Sequence, residues 1–469
     1  MQERSRGSAR GRSGFSSGFA LVTTMVLASL GVGLMGQIVP AQERTPEQVL
    51  AELQKQTAEL QRQFDDKLAE LRKQGEPLTL TELAPPAVPD DQNAAVLHEQ
   101  AFKLLEDIPR ATDDRLRELF PRSAPAPTAE DLAEARKLLA PCAPALDLIR
   151  QGTLRPKCRF DLDYNANPVA MLLPHPSKVQ RAGRLLSYES RIEIAQGRPD
   201  AAVADCVTAL RLADGLKDEP IVVDQMVRFA LIGMGTNGLQ RVLDQSEPGE
   251  AALREAVGVL AALDDRGPLL RALKGERVVD LAVVRLVLDD PATAVELFMH
   301  TDGTSPFEGV KTKLMRASAR PVLLASAIEY LDRVEQSQNL AAKPYYQSHQ
   351  AFRQLENQVK QEYRTQPLAH LFAWMELPTV SKSALAYDRS LAGIGKARLA
   401  IALRLYRTKH GQYPDDLAVL VPDLIDKLPI DPFSGKDFIY RRDGNGFVLE
   451  SVGDDDQTYT EWKTWKCSR

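Results

Sequence analysis

Residues 178–215, KVQRAGRLLSYESRIEIAQGRPDAAVADCVTALRLADG, decide the fold class. Ala182, Leu185, Leu186, Tyr188, Ile192 and Ala195 recur at the three- and four-residue spacing of one helical face. Gly197-Arg198-Pro199-Asp200 supplies a turn, and Ala201, Ala204, Val207, Ala209, Leu210 and Ala213 mark a second helix. The helical period continues through residues 221–244, 250–264, 268–300, 320–340 and 344–374 with short breaks. Long helices with short connections predict an all-α body over residues 93–380.

The hairpin, with small residues between its helices, resembles a single tetratricopeptide unit, but no 34-residue repeat continues it. Upstream, Thr45-Pro46-Glu47 reads as an N-cap with proline in the first turn of a helix within residues 42–75. Leu50, Leu53, Thr57, Leu60, Phe64, Lys67 and Leu71 then form an a/d seam. Such a coiled-coil-like seam fits a stalk self-associating through residues 47–71, or an amphipathic helix lying on the body. Pro77, Pro85, Pro86 and Pro89 make residues 76–92 a linker, and Pro121, Pro125 and Pro127 mark a second break.

Downstream the pattern changes. Leu391, Ile394, Ala397, Leu399, Ala400, Leu403 and Tyr406 predict a helix over residues 391–409, and Leu417, Leu420 and Leu424 a shorter one. Phe438-Ile439-Tyr440 and Phe447-Val448-Leu449-Glu450-Ser451-Val452 flank Arg441-Arg442-Asp443-Gly444-Asn445-Gly446, a β-hairpin signal. The expectation is therefore a mostly α protein with a small α+β module at residues 381–469. Removing residues 391–469 is expected to leave the helical body folded.

At the other end, Arg4, Arg6, Arg10 and Arg12 precede an uncharged apolar run of 21 residues, Phe19 to Val39, followed by Pro40-Ala41. Residues 1–41 thus read as a secretory signal cut between Ala41 and Gln42, or as an uncleaved apolar helix. The run is long enough to cross ~30 Å of hydrocarbon at ~1.5 Å per residue. The arginines hold the head in the cytoplasm, so the bulk lies outside it, single-pass in the cell membrane or exported to the periplasm. Gly18-Phe19-Ala20-Leu21-Val22 also resembles the cleavage site of type IV prepilins and pseudopilins, which are cut after the glycine. The glutamate usual five residues into those mature chains is Thr23 here.

The chain of 469 residues is 44% apolar and 26% charged, as ordinary globular proteins are. Its 59 basic and 64 acidic residues give −5; removing residues 1–41, with four arginines and Glu3, leaves 55 against 63, or −8. An acidic exported body argues against nucleic acid and anionic lipid as partners. Of four cysteines, Cys142 and Cys158 could pair in an oxidising compartment, or serve as two small buried residues.

Gly233-Met234-Gly235-Thr236-Asn237-Gly238 matches the dinucleotide-binding GxGxxG pattern, but its flanks have helical spacing, so glycines admitting a close helix neighbour are the better reading. A strand before Gly233 would revive a nucleotide cofactor. The six histidines have no partner at metal-ligand spacing; His175, between two prolines, reads as loop. No Walker A or HExxH motif occurs.

The C-terminal order resembles the globular end of the major pseudopilin of type II secretion systems over about 60 residues. The resemblance is carried by Ala402-Leu403 with Tyr406, Gly411 with Tyr413-Pro414, Leu428-Pro429 with Asp431-Pro432-Phe433 and Gly435, Tyr440, and Ser451-Val452-Gly453-Asp454. It implies that Asp454, Asp455 and Asp456 could supply oxygens to calcium, although the glycine pair and later aspartate of that family's loop are absent. The layout as a whole resembles a family of uncharacterised exported bacterial proteins, through the apolar segment, Asn93-Ala94-Ala95, Leu173-Pro174-His175 and this end. The expected function is a non-enzymatic scaffold of the cell envelope with protein partners, beside a secretion or pilus-like apparatus. The alternatives are an envelope hydrolase with a site in the helical body, betrayed by a convergent acidic or histidine cluster, and a soluble periplasmic binding protein.

Overall fold

Side-chain caps and proline-led first turns start several of the helices. Thr45 and Gln48 form a reciprocal capping box before α1 (Pro46–Lys73), Asn93 caps α2 (Ala94–Glu106), and Thr128 with Asp131 boxes α4 (Ala129–Leu139). The computed structural model describes residues 45–121, 127–165, 173–289, 313–367, 369–454 and 461–468. The remaining helices are α3 (Arg110–Leu119), α5 (Ala143–Gly152), α6 (His175–Ala195), α7 (Pro199–Gly215), α8 (Val222–Gln245), α9 (Glu250–Ala262), α10 (Gly267–Asp289), α11 (Lys313–Ala341), α12 (Tyr345–Thr365) and α13 (Leu371–His410). Strands β1 (Ile439–Asp443), β2 (Gly446–Glu450) and β3 (Thr464–Cys467) form an antiparallel sheet in that order. No helix among the described residues is long and apolar enough to cross a membrane, and the apolar run 19–39 lies outside them.

The chain divides into two compact units. One combines the described part of residues 1–76 with 281–336 and 353–378. Within it α1 buries Leu53, Phe64 and Leu71, three members of the seam. Lys67 pairs with Asp332, and Gln61 accepts from Arg320, so α1 lies alongside α11 of its own chain.

The other unit combines residues 77–280, 337–352 and 379–469. Its centre is the predicted hairpin: α6 and α7 joined at Gly197, whose φ of 69° suits glycine. Helix α8 packs on both at small residues. A Cβ on Gly235 would lie 2.6 Å from Leu210, and one on Gly238 2.5 Å from Cys206 Sγ, whereas Gly233 has open space around it. The whole GxGxxG stretch is helical, without the strand a dinucleotide site requires.

Helix α13 runs 40 residues with Pro378 inside it, continuous across the boundary expected between residues 380 and 381. One proline removes a single hydrogen bond, and flanking burial holds the helix together. Ala392, Ile394, Ala397 and the run from Leu399 to Leu403 are all buried, in one core with α6–α8 and the sheet. Gly411, at φ 81°, ends the helix. Asp443 pairs with Gly446 across a two-residue Gly444-Asn445 turn, as expected. β3, which turns Trp465 and Cys467 inward, adds a third strand too short to be visible in the sequence. Because body and module share this core, removing residues 391–469 would expose it, which corrects the expectation of an independently folded body.

Gly235→Ala and Gly238→Ala are each expected to cost roughly 1–3 kcal/mol through overpacking. Gly233→Ala is expected to stabilise by about 0.5–1 kcal/mol, as for any open helical glycine. Denaturant titration of the three variants checks this, and equal losses at all three would contradict the packing role.

Candidate functional site

The residues singled out from the sequence do not converge. Gly18, Phe19, Ala41, Gln42, Asp455 and Asp456 lie outside the described residues. Asp454 is buried, and its carboxylate accepts from Arg389 Nε at 2.6 Å, so a guanidinium already meets the charge expected to serve calcium. Cys142 and Cys158 are free thiols in this structure, the alternative to a bridge between them. Cys142 is core in the turn before α5, while Cys158 lies against His98 Nδ1 at 3.9 Å, with its β-carbon under Gly215. Burial pushes the His98 imidazole down to about 4, so it packs there as a neutral ring.

In the C-terminal module Asp431 is the pivot. It is 1% exposed and accepts from Phe433 N (3.2 Å), Ser434 Oγ (3.3 Å), Ser451 Oγ (2.8 Å) and Val452 N (3.1 Å). One carboxylate thus ties the turn at residues 431–436 to the chain leaving β2. Nearby, Lys396 is enclosed on α13, donates to the Trp462 carbonyl and lies 5.6 Å from the Trp462 ring centroid. Burial pushes its ammonium down to about 7, with the Asp431 carboxylate partly opposing.

The convergence that the sequence did not reveal is in the helical body. His175, placed in a loop by its flanking prolines, instead begins α6. Glu219 lies in the connection between α7 and α8, and Asp224 in the first turn of α8. One ligand-type atom from each lies within 4.8 Å of the others, and all three residues are at most 1% exposed. His175 Nε2 lies 2.9 Å from Asp224 Oδ1, yet too far off axis for a hydrogen bond. The Tyr164 hydroxyl donates to Glu219 Oε2 at 3.1 Å. Burial and the neighbouring Asp224 carboxylate push Glu219 up to about 7, and His175 pulls it back.

Local structure builds this cluster in layers. Asn93 brackets Arg159, donating from Nδ2 to its carbonyl (2.9 Å) and accepting its N–H at Oδ1 (2.9 Å). That fixes Phe160, whose ring stacks on His175 at 4.2 Å. Gln225 donates to the carbonyls of Leu216 (2.9 Å) and Glu219 (3.3 Å), pinning the connection. Gly275 of α10 lies so close that a Cβ would meet the Pro220 carbonyl at 1.6 Å. Asn93-Ala94-Ala95 and Leu173-Pro174-His175, far apart in sequence, thus both contribute to one place.

A second set, in the other unit, has the same residue types and a different balance. His370 Nδ1 lies 2.7 Å from Glu329, and Arg333 reaches Glu329 (3.3 Å) and Glu362 (3.1 Å). A guanidinium supplies the positive charge there, and the set is a part-buried ion-pair network.

Lys396 sets a pH dependence. From pH 7 to 10.5 the unfolded lysine carries a proton that the folded one does not, so stability rises with pH across that window. Denaturant titration should find this rise missing from Lys396→Met when compared with the parent; a parallel rise in both would show that the lysine is not the cause. Comparison with known protein families, with curated proteins and with solved structures finds no match to this chain.

Proposed function

We propose that this protein is a non-enzymatic scaffold of the cell envelope, anchored or exported by residues 1–41, which engages a protein partner through its C-terminal module. The observation that carries the reading is the outer rim of that module. β1 is an edge strand, and Ile439 at its start is 50% exposed; Ile430 and Val452, which flank Asp431 and its hydrogen-bond partner chain, are 54% and 49% exposed. A strand edge with no pairing strand among the described residues, beside exposed apolar side chains, suits β-strand addition by a partner. The pseudopilin resemblance of the same module supports a partner in a secretion or pilus-like apparatus, and the arginine-led apolar run supports delivery to the membrane.

A second reading, an envelope hydrolase, is favoured by the convergence of His175, Glu219 and Asp224. Their burial argues against it, because a substrate must reach the groups that act on it.

A photo-crosslinking residue in place of Ile439 is expected to give an adduct in the membrane fraction that maps to an extended segment of another envelope protein. The same residue in place of buried Leu449 should give none. Equal labelling at both positions, or none at either, would contradict partner capture along β1.

A further inference from the structure

We infer that His175, Glu219 and Asp224 together hold one divalent first-row cation, of the zinc or manganese class, as a structural centre of the helical body. The inference does not depend on the envelope role.

The argument starts from polar atoms that have no hydrogen-bond partner among the described residues. Both ring nitrogens of His175, both carboxylate oxygens of Asp224 and Glu219 Oε1 are fully enclosed and unpartnered in this way. Most buried polar atoms in proteins are paired, and of the twenty without a hydrogen-bond partner among the described residues these five are concentrated in three side chains that face one another. His175 Nε2 and Asp224 Oδ1 lie 2.9 Å apart but off hydrogen-bonding geometry, an approach that two ligands of one cation would also make. Ligands bonded at about 2.0–2.2 Å come about this close when they are neighbours at the right angles of an octahedral cation.

The donor set selects the ion. One imidazole nitrogen with two carboxylate oxygens suits zinc or manganese, whereas calcium takes six to eight oxygens and no nitrogen. Tyr164 occupies Glu219 Oε2 and leaves Oε1 without a hydrogen-bond partner among the described residues, and the Phe160 ring stacks on His175. Such outer contacts orient metal ligands. Complete burial fits a structural centre, and the contrast with Glu329, Glu362 and His370 is informative: there Arg333 supplies the cation from within the chain.

The test uses the full-length, untagged chain, purified in detergent without chelator from cells supplied with zinc and manganese. Elemental analysis is expected to find about one such ion per chain in the parent and in Glu362→Gln, and to find it lost in Asp224→Asn. Cobalt added to the chelated parent should develop visible absorption bands that saturate at one equivalent. Should Asp224→Asn fail to fold, Glu219→Gln and the cobalt titration of the parent decide. Absence of metal from the parent together with no cobalt spectrum would overturn the inference and leave the three groups sharing protons. Retention of the ion in both folded variants would overturn it equally.

Discussion

Three buried basic side chains on one helix constrain much of the larger unit. Lys396, Arg398 and Arg404 are each 2% exposed on α13, and each must find its partner on a different element. Lys396 reaches the Trp462 carbonyl, Arg398 reaches Asp426, and Arg404 reaches the Leu243 carbonyl and Glu247 while touching Cys467 Sγ. A buried charge left unpaired costs several kcal/mol, so the helix can be enclosed only if all these elements are in place together. The apolar residues between these side chains add ~1.5–3 kcal/mol for each fully buried leucine or isoleucine. The C-terminal module and the helical body are consequently two faces of one core, with α13 as its shared wall.

This explains which parts of the structure were legible in the sequence. The α6–α7 hairpin, the turn at Gly444-Asn445 and the helix end at Gly411 are local, set by side-chain period and by glycine at positive φ. Passage of α13 through Pro378 was not legible, because tertiary packing overrides a local breaker. β3 escaped notice because four residues carry too little alternation. The GxGxxG letters misdirect for a physical reason: glycine serves a close helix contact as well as a phosphate, and only the surrounding element tells them apart.

The cluster in the body escaped the sequence for another reason. Glu219 and Asp224 are five residues apart across a helix start, and His175 comes from a separate helix, so no spacing motif joins them. The available signal was indirect: Asn93-Ala94-Ala95 and Leu173-Pro174-His175 stood out as features of layout, and both frame the cluster. Asn93 acts through the Arg159 backbone and Phe160, whereas His175 belongs to the cluster itself. The two histidine–carboxylate sets differ in one respect that decides their character. One has its own arginine, and the other, fully enclosed, has unpartnered ligand atoms.

The proposed scaffold role would be served by this arrangement, since a rim built on a shared core would transmit a pull to the body. Native-state hydrogen exchange of the full chain measures that unity directly. The account predicts that the amides of Val448 and Leu449 in β2, of Leu399–Leu403 in α13 and of Leu239–Leu243 in α8 open with one common free energy. Opening of β2 and α13 at distinctly lower free energy than α8 would show a separable module and contradict it.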